Sequence, residues 1–439
     1  MFSGGDSRPA FRLNAGGFGE SGLEPAADGR LEPCQHSNPA ACLFACLFAC
    51  LFACLGSTQS GSLPVPNWRF ESNLVCSHIL SERCSCVLAA RMRLLTGDDM
   101  SIISECLKPG QRIWVAGSTN EPTGLLAELE SAALPEGLTF IQFPLPPFNS
   151  VDFTHLAPAA QMETFFMSPA LKAAAPGCLH FLPMQMRAVF DYLSDNLDVV
   201  MIQAARDRDG VLRLGPNVDF AAAALGAAGT VLVEINEGIT APAGSLALDE
   251  ARIDASVTTN RLLAEMAPPV IDEAAAAIGA LVAGLIRDGD CIQTGIGSIP
   301  AAILKELKGL SDLGMHGGLI DDGGMALIQA GNLNGSRKAI DTGAHITGMA
   351  LGSRALYDWL AETPTVEFRG ADHTHEIGVI RQLDNFVSMN SAVEVDLYGQ
   401  VNAEFAGGRQ LSGTGGSVDF MRSARASRGG RSIVAMNAT

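Results

Sequence analysis

From about residue 92 onward, short β-branched or apolar runs alternate with stretches of helical periodicity, and this alternation restricts the chain to an α/β sheet architecture. Asp99–Leu107 is an amphipathic helical turn closed by Lys108-Pro109-Gly110. Arg112–Ala116 reads as a strand, Glu121–Ala133 as a helix with Pro122 near its first turn, and Leu138–Phe143 as a strand. Residues 144–170 are rich in proline and read as loop. Val199–Gln203 and Thr230–Ile235 are the continuous runs expected of strands buried in a parallel sheet. Residues 245–269, ending in Ala267-Pro268-Pro269, read as a linker. Beyond it Asp272-Glu273 cap a helix over Ala274–Arg287 that stops at Asp288-Gly289. Strands over Asp290–Thr294, Leu313–Ile320 and Ala344–Leu351 alternate with helices over Pro300–Leu307, Met325–Ala330 and Arg354–Ala361. A second α/β unit therefore begins near residue 270. Val387–Glu404 alternates apolar and polar residues about Gly399 and reads as a hairpin.

Residues 1–91 do not share this pattern. Eight of the eleven cysteines lie there, and residues 41–54 run Ala-Cys-Leu-Phe three times followed by Ala-Cys. A four-residue period is too short for a repeat architecture. The apolar run Ala40–Leu55 is shorter than a membrane span needs and starts too late for an ordinary secretory signal. Cysteines four apart match no zinc spacing with paired ligands. Translated upstream DNA is the favoured reading, with Met92 and Met100 as starts, so residues 1–91 are expected to be a non-native or disordered extension. Cys106, Cys178 and Cys291 then remain, scattered singly, as expected of small buried hydrophobes in a reducing cytoplasm.

The formal net charge is −18, which argues against general nucleic-acid binding. At 47% hydrophobic and 17% charged, the chain is not a disordered one. One segment reverses the sign: from residue 405 onward Arg409, Arg422, Arg425, Arg428 and Arg431 face a single acid, Asp419. Either an anion site or a solvated basic face accounts for it.

Three loops could carry chemistry. Gly295-Ile296-Gly297-Ser298-Ile299-Pro300 links a strand to a helix, so its amides face outward at the positive helix end. Pro300 stands where a dinucleotide fingerprint has its third glycine, so the turn suits a carbonyl oxygen or phosphate better than a dinucleotide. Gly413-Thr414-Gly415-Gly416-Ser417 permits close backbone approach to a ligand. The third is Leu313-Gly314-Met315-His316-Gly317-Gly318-Leu319-Ile320-Asp321-Asp322-Gly323. There is no Gly-x-Ser-x-Gly elbow and no phosphate-binding P-loop. Asp372-His373-Thr374-His375-Glu376 has metal-binding residue types without a third imidazole or thiolate nearby in sequence, so no metal is expected.

Together with Ile292-Gln293-Thr294, Asn390-Ser391-Ala392-Val393-Glu394-Val395-Asp396-Leu397-Tyr398-Gly399-Gln400-Val401, Val418-Asp419-Phe420 and Ser427-Arg428-Gly429-Gly430-Arg431, these loops give residues 92–439 their resemblance to a known family. It is the acetyl-CoA hydrolase/transferase family, near its 4-hydroxybutyrate CoA-transferase branch. The resemblance implies two similar open α/β domains, 92–269 and 270–439, with the active site between them. It also implies a short-chain acyl-CoA and a small carboxylate as substrates, no permanently bound cofactor, no membrane and a homodimer. Amides matching Ile299 and Gly413 would hold the oxyanion. Gly297, Ser298, Ile299, Pro300, Ala301, Asn390, Arg409, Gly413 and Arg428 match the coenzyme A contacts.

Two departures qualify what is implied. The family's glutamate nucleophile falls at Gly318, which offers no nucleophile, and Asp321 and Asp322 just beyond it are expected to aim elsewhere. Family members also continue past Ala435-Met436, so the second domain is expected to be incomplete. Three readings stay open: a thioesterase in which His316 activates water, a transferase with a substitute carboxylate, and a coenzyme A-binding protein without catalysis or a decayed gene product.

Overall fold

The computed structural model describes residues 102–437, so the expectations for residues 1–91 lie outside it, as does the helix start at Asp99. Short helix α1 (Ile102–Glu105) precedes an eight-stranded sheet. Its strands are β1 (Arg112–Val115), β2 (Thr139–Gln142), β3 (Gln161–Thr164), β4 (Leu179–Phe181), β5 (Val199–Arg206), β6 (Leu212–Leu214), β7 (Thr230–Asn236) and β8 (Ala255–Thr259). They lie in the order β4-β3-β2-β1-β5-β7-β8, all parallel, with β6 antiparallel to the end of β5. Helices α2 (Thr123–Ser131), α3 (Met186–Asp195) and α4 (Ala221–Ala227) connect them.

The period-two alternation of a strand explains why β1 and β5 are largely apolar on both faces. Trp114, Val200 and Ile202 pack into a core on one face of the sheet, whereas Ile113, Val115, Val199 and Met201 pack into a second core on the other. Both faces are covered, and each fully buried Leu, Ile or Phe contributes roughly 1.5–3 kcal/mol.

The next part begins with α5 (Glu273–Ala283), whose cap is Asp272, its side chain accepting a bond from Ala275 N at 2.7 Å. Strand β9 (Cys291–Gln293) leads into α6 (Ser298–Glu306). Then come β10 (Gly314–Met315), β11 (Leu319–Ile320), α7 (Asp322–Gln329), β12 (His345–Thr347), β13 (Met349–Ala350), α8 (Arg354–Leu360) and β14 (Val366–Phe368). Single turns α9 (Ala371–Thr374) and α10 (Ile377–Ile380) precede β15 (Phe386–Ser391). Two small hairpins follow, β16 (Glu394–Val395) with β17 (Val401–Asn402) and β18 (Phe405–Ala406) with β19 (Arg409–Gln410). Helix α11 (Ser417–Ala426) and strand β20 (Arg431–Ala435) complete the described chain. Strands β10-β9-β15-β20 form a parallel sheet, while β11 pairs with β13 and β12 with β14. Ile292, Met315 and Val387 join Trp114 and Val200 in one continuous core.

Several expected elements are corrected. The stretch read as loop over 144–170 contains β3, and the linker over 245–269 contains β8. The single strand expected over Leu313–Ile320 is two, because the chain leaves β9 at Met315 and pairs next with β13. Gly317 N donates to Ile346 O at 3.0 Å across this switch. Ala344–Leu351 divides in the same way at Gly348. The hairpin expected over Val387–Glu404 is confined to β16 and β17, since β15 is a buried parallel strand between β9 and β20. Among the described residues no helix is long and apolar enough to cross a membrane.

Candidate active site

The loop after β9 is held from beneath by an amide pair. Asn390 Nδ2 on β15 donates to Gln293 Oε1 at 3.3 Å, beside the point where the chain enters Thr294-Gly295-Ile296. Gly297 adopts φ 121°, a conformation side chains resist, and so begins α6 with the first-turn amides of Ser298 and Ile299 free of helical partners. Pro300 occupies that first turn, where a missing N–H costs nothing. Gly297 and Ala301 face a small cavity of about 140 Å³ together with Pro268, Pro269, Asp321 and Asp322. The two acids have structural duties: Asp321 caps α7 by accepting from Gly324 N, and Asp322 accepts from Ser353 N.

The second glycine loop fastens the C-terminal part of the chain to the first sheet. A Cβ on Gly413 would stand 2.1 Å from Phe165 O, so only glycine permits this approach. Met167 N donates to Ser412 O and Met186 N to Gly415 O, at 3.4 and 3.3 Å. Ile296 from the first loop and Gly415 and Gly416 from the second therefore line one largely apolar cavity of about 200 Å³, with Phe143, Phe166 and Met349.

Gly318 lies beside this site against His375. A Cβ on Gly318 would stand 2.9 Å from His375 Cε1, and one on Gly416 2.4 Å from its Nε2. The imidazole fills the space that a larger side chain at 318 would enter. His375 is buried, packs against Phe420 with ring centroids 4.4 Å apart and the rings tilted by 40°, and shares a 2.8 Å hydrogen bond with the Thr374 hydroxyl through Nδ1. Burial pushes it down to about 3, so the ring is neutral.

His316 is wholly buried and does not line the cavity; neither ring nitrogen has a hydrogen-bond partner among the described residues. Burial, helped by Lys338, keeps it neutral. With Asp341 and His373 it forms a group whose ligand atoms lie within 4.8 Å of one another, the described group that could hold a cation. His373 Nε2 is 3.0 Å from Asp341 Oδ2, and buried Lys338 adds a nearby positive charge that would oppose a metal ion.

The remaining sequence-selected residues lie apart from the 200 Å³ cavity. Arg409 is exposed on β19, and Arg428 is exposed and paired with Asp384, its Nε donating to Oδ1 at 3.1 Å. Arg431 pairs with Asp290. Two of the five arginines are thus matched with acids from earlier in the chain, which sequence order concealed.

Sequence reasoning missed Asp219. It lines the cavity, is 4% exposed, and its Oδ1 is buried without a partner among the described residues. Burial raises it to about 7. The available signal was an acid inside the otherwise apolar run Val218-Asp219-Phe220-Ala221-Ala222.

Comparison with known proteins bears on what such a site does. Residues 352–439 match the acetyl-CoA hydrolase/transferase C-terminal domain. The chain is 38% identical over 244 residues to 4-hydroxybutyrate coenzyme A transferase of Clostridium kluyveri, covering 55% of this chain and 57% of the relative. It is 36% identical over 255 residues to butyryl-CoA:acetate CoA-transferase of Anaerostipes caccae, covering 56% of each. The chain thus spans little more than half the length of these relatives. Its fold matches the crystal structure of a 4-hydroxybutyrate CoA-transferase from Porphyromonas gingivalis at TM-score 0.61 and 26% identity, over 76% of this chain and 80% of that one. A RipA variant matches at TM-score 0.70, also at 26% identity and the same coverage. These likenesses support the acetyl-CoA hydrolase/transferase family. Of the segments that carry the resemblance, the two glycine-rich loops supply Ile296, Gly415 and Gly416 to the cavity.

Proposed function

We propose that the chain acts on short-chain acyl-CoA thioesters in the cytoplasm, by chemistry altered through the glycine at 318. One observation carries this reading. Two glycine-rich loops converge on an apolar cavity beside a position that bears only a hydrogen, with His375 packed against it. Such a cavity suits a short acyl chain, and the exposed amides suit a developing oxyanion. In this reading the amides of Ile299 and Gly413 hold the thioester oxygen. Gly297–Ala301, Asn390, Arg409 and Arg428 contact coenzyme A, which is a substrate and not a resident cofactor. A homodimer with active sites between two α/β domains accords with the resemblance. With no carboxylate at 318 to form an acyl anhydride, hydrolysis is favoured over transfer to a carboxylate acceptor.

The test is to incubate the protein with acetyl-, butyryl- and 4-hydroxybutyryl-CoA, with and without acetate, and follow free thiol. Thiol release that does not need acetate is the expected result. Acyl exchange without thiol release would mean a transferase. Silence in both, with coenzyme A binding seen by calorimetry, would leave a binding protein.

A further inference from the structure

We propose that Asp219 is the general base that activates water in this site, a role resting on the thioester reading above. The point where a Cβ on Gly348 would stand is 1.9 Å from Asp219 Oδ1 and 3.3 Å from the carbonyl oxygen of Gly318. Backbone bonds fix this register: Met349 N donates to Gly318 O, and Val218 N to Gly348 O, each at 2.9 Å. A carboxylate oxygen is thereby held near the backbone carbonyl of Gly318, from a different part of the chain and with a glycine at 348 clearing its way.

Asp219 is 4% exposed, and its Oδ1 is buried with no hydrogen-bond partner among the described residues. A buried carboxylate oxygen without a partner costs free energy, and a water or substrate proton at that oxygen would offset it. Its carboxyl is raised to about 7 by burial alone, which leaves it able to take a proton near neutral pH. The titratable groups on the elements around it are Arg187 and Asp191 on α3, Arg369 before α9, and Asp372 and His373 on α9. None of them contributes to its shift. His375 and His316 are already neutral well below that pH.

Asp219 accepts a proton from water as the water oxygen bonds to the thioester carbonyl carbon. The carbonyl oxygen becomes an oxyanion facing the loop amides. The C–S bond then breaks with its electron pair on sulfur, and Asp219 returns the proton to the thiolate. A carboxylic acid and free coenzyme A result, with no other reactant.

The test uses the full chain and butyryl-CoA, following thiol, with Asp219→Asn as the near-isosteric variant. Wild-type kcat/KM should rise with pH through about 7. Asp219→Asn should lose that limb and at least about 100-fold in kcat, with KM changed less than about threefold. Calorimetric coenzyme A binding should be retained, which separates loss of the base from loss of the fold. A variant within about threefold of a hydrolysing wild type would overturn the role of Asp219 and leave the thioester reading standing. A wild-type profile flat between pH 5 and 8 would do the same, without needing the variant to fold. Coenzyme A exchange into acetate without thiol release would exclude the water route. A wild type inactive toward every acyl-CoA would overturn the thioester reading and Asp219 with it.

Discussion

At the residue scale, Gly318 and His375 have to be considered as a pair. The imidazole lies so close that any side chain at 318 must displace it. Gly318→Glu alone is therefore expected to cost about 1–3 kcal/mol in chemical denaturation, by overpacking, and to show no coenzyme A exchange into acetate. Combining it with His375→Ala should recover part of that stability and allow exchange to appear. If the single variant is as stable as the parent, His375 yields freely and the pairing is not what keeps glycine there. Gly318 was legible in the sequence as part of the glycine-rich stretch between His316 and Asp321-Asp322-Gly323. The ring beside it was not, since 57 positions separate the two and no local pattern links them. Asp219 was visible as an acid in an apolar run, but its approach to Gly318 depends on Gly348, a third segment.

At the element scale, strands buried on both faces were the legible ones. Continuous apolar runs announce β5 and β7 because two cores need opposite faces of the same strand. Strand β3 reads Gln-Met-Glu-Thr and was hidden by its polarity. That polarity has a partner: Glu163 accepts two bonds from the Arg112 guanidinium, at 3.0 and 2.8 Å, and one from Tyr192 at 2.7 Å. The bidentate pair ties β3 to β1 across the intervening β2. Glu163→Ala should lower stability by about 1–3 kcal/mol in denaturant titration, because it strands a half-buried guanidinium. An unchanged midpoint would show the pair to be solvated decoration. The splitting of two expected strands at Gly317-Gly318 and at Gly348 was illegible for another reason. No proline marks either break, and only the change of pairing partner reveals it.

At the scale of the whole molecule, the cavity exists because segments far apart in sequence are sewn together. Ser412 and Gly415 accept bonds from Met167 and Met186, while Gly348 and Pro216 accept from Val218 and Ala350. Gly413→Ala should force the loop off Phe165 O and misplace its amides. Thiol release is then expected to fall by about 100-fold with little change in far-UV circular dichroism. Retained activity would show that the loop is not part of the reacting surface. By itself the sequence determined the α/β class, the buried parallel strands and the glycine loops, since these rest on local periodicity and residue type. The tertiary structure alone decided that His375 fills the space beside Gly318, that Asp219 lies against Gly348, and that Arg428 and Arg431 pair with Asp384 and Asp290. Each of those outcomes depends on how distant segments register against one another, and no local pattern encodes that register.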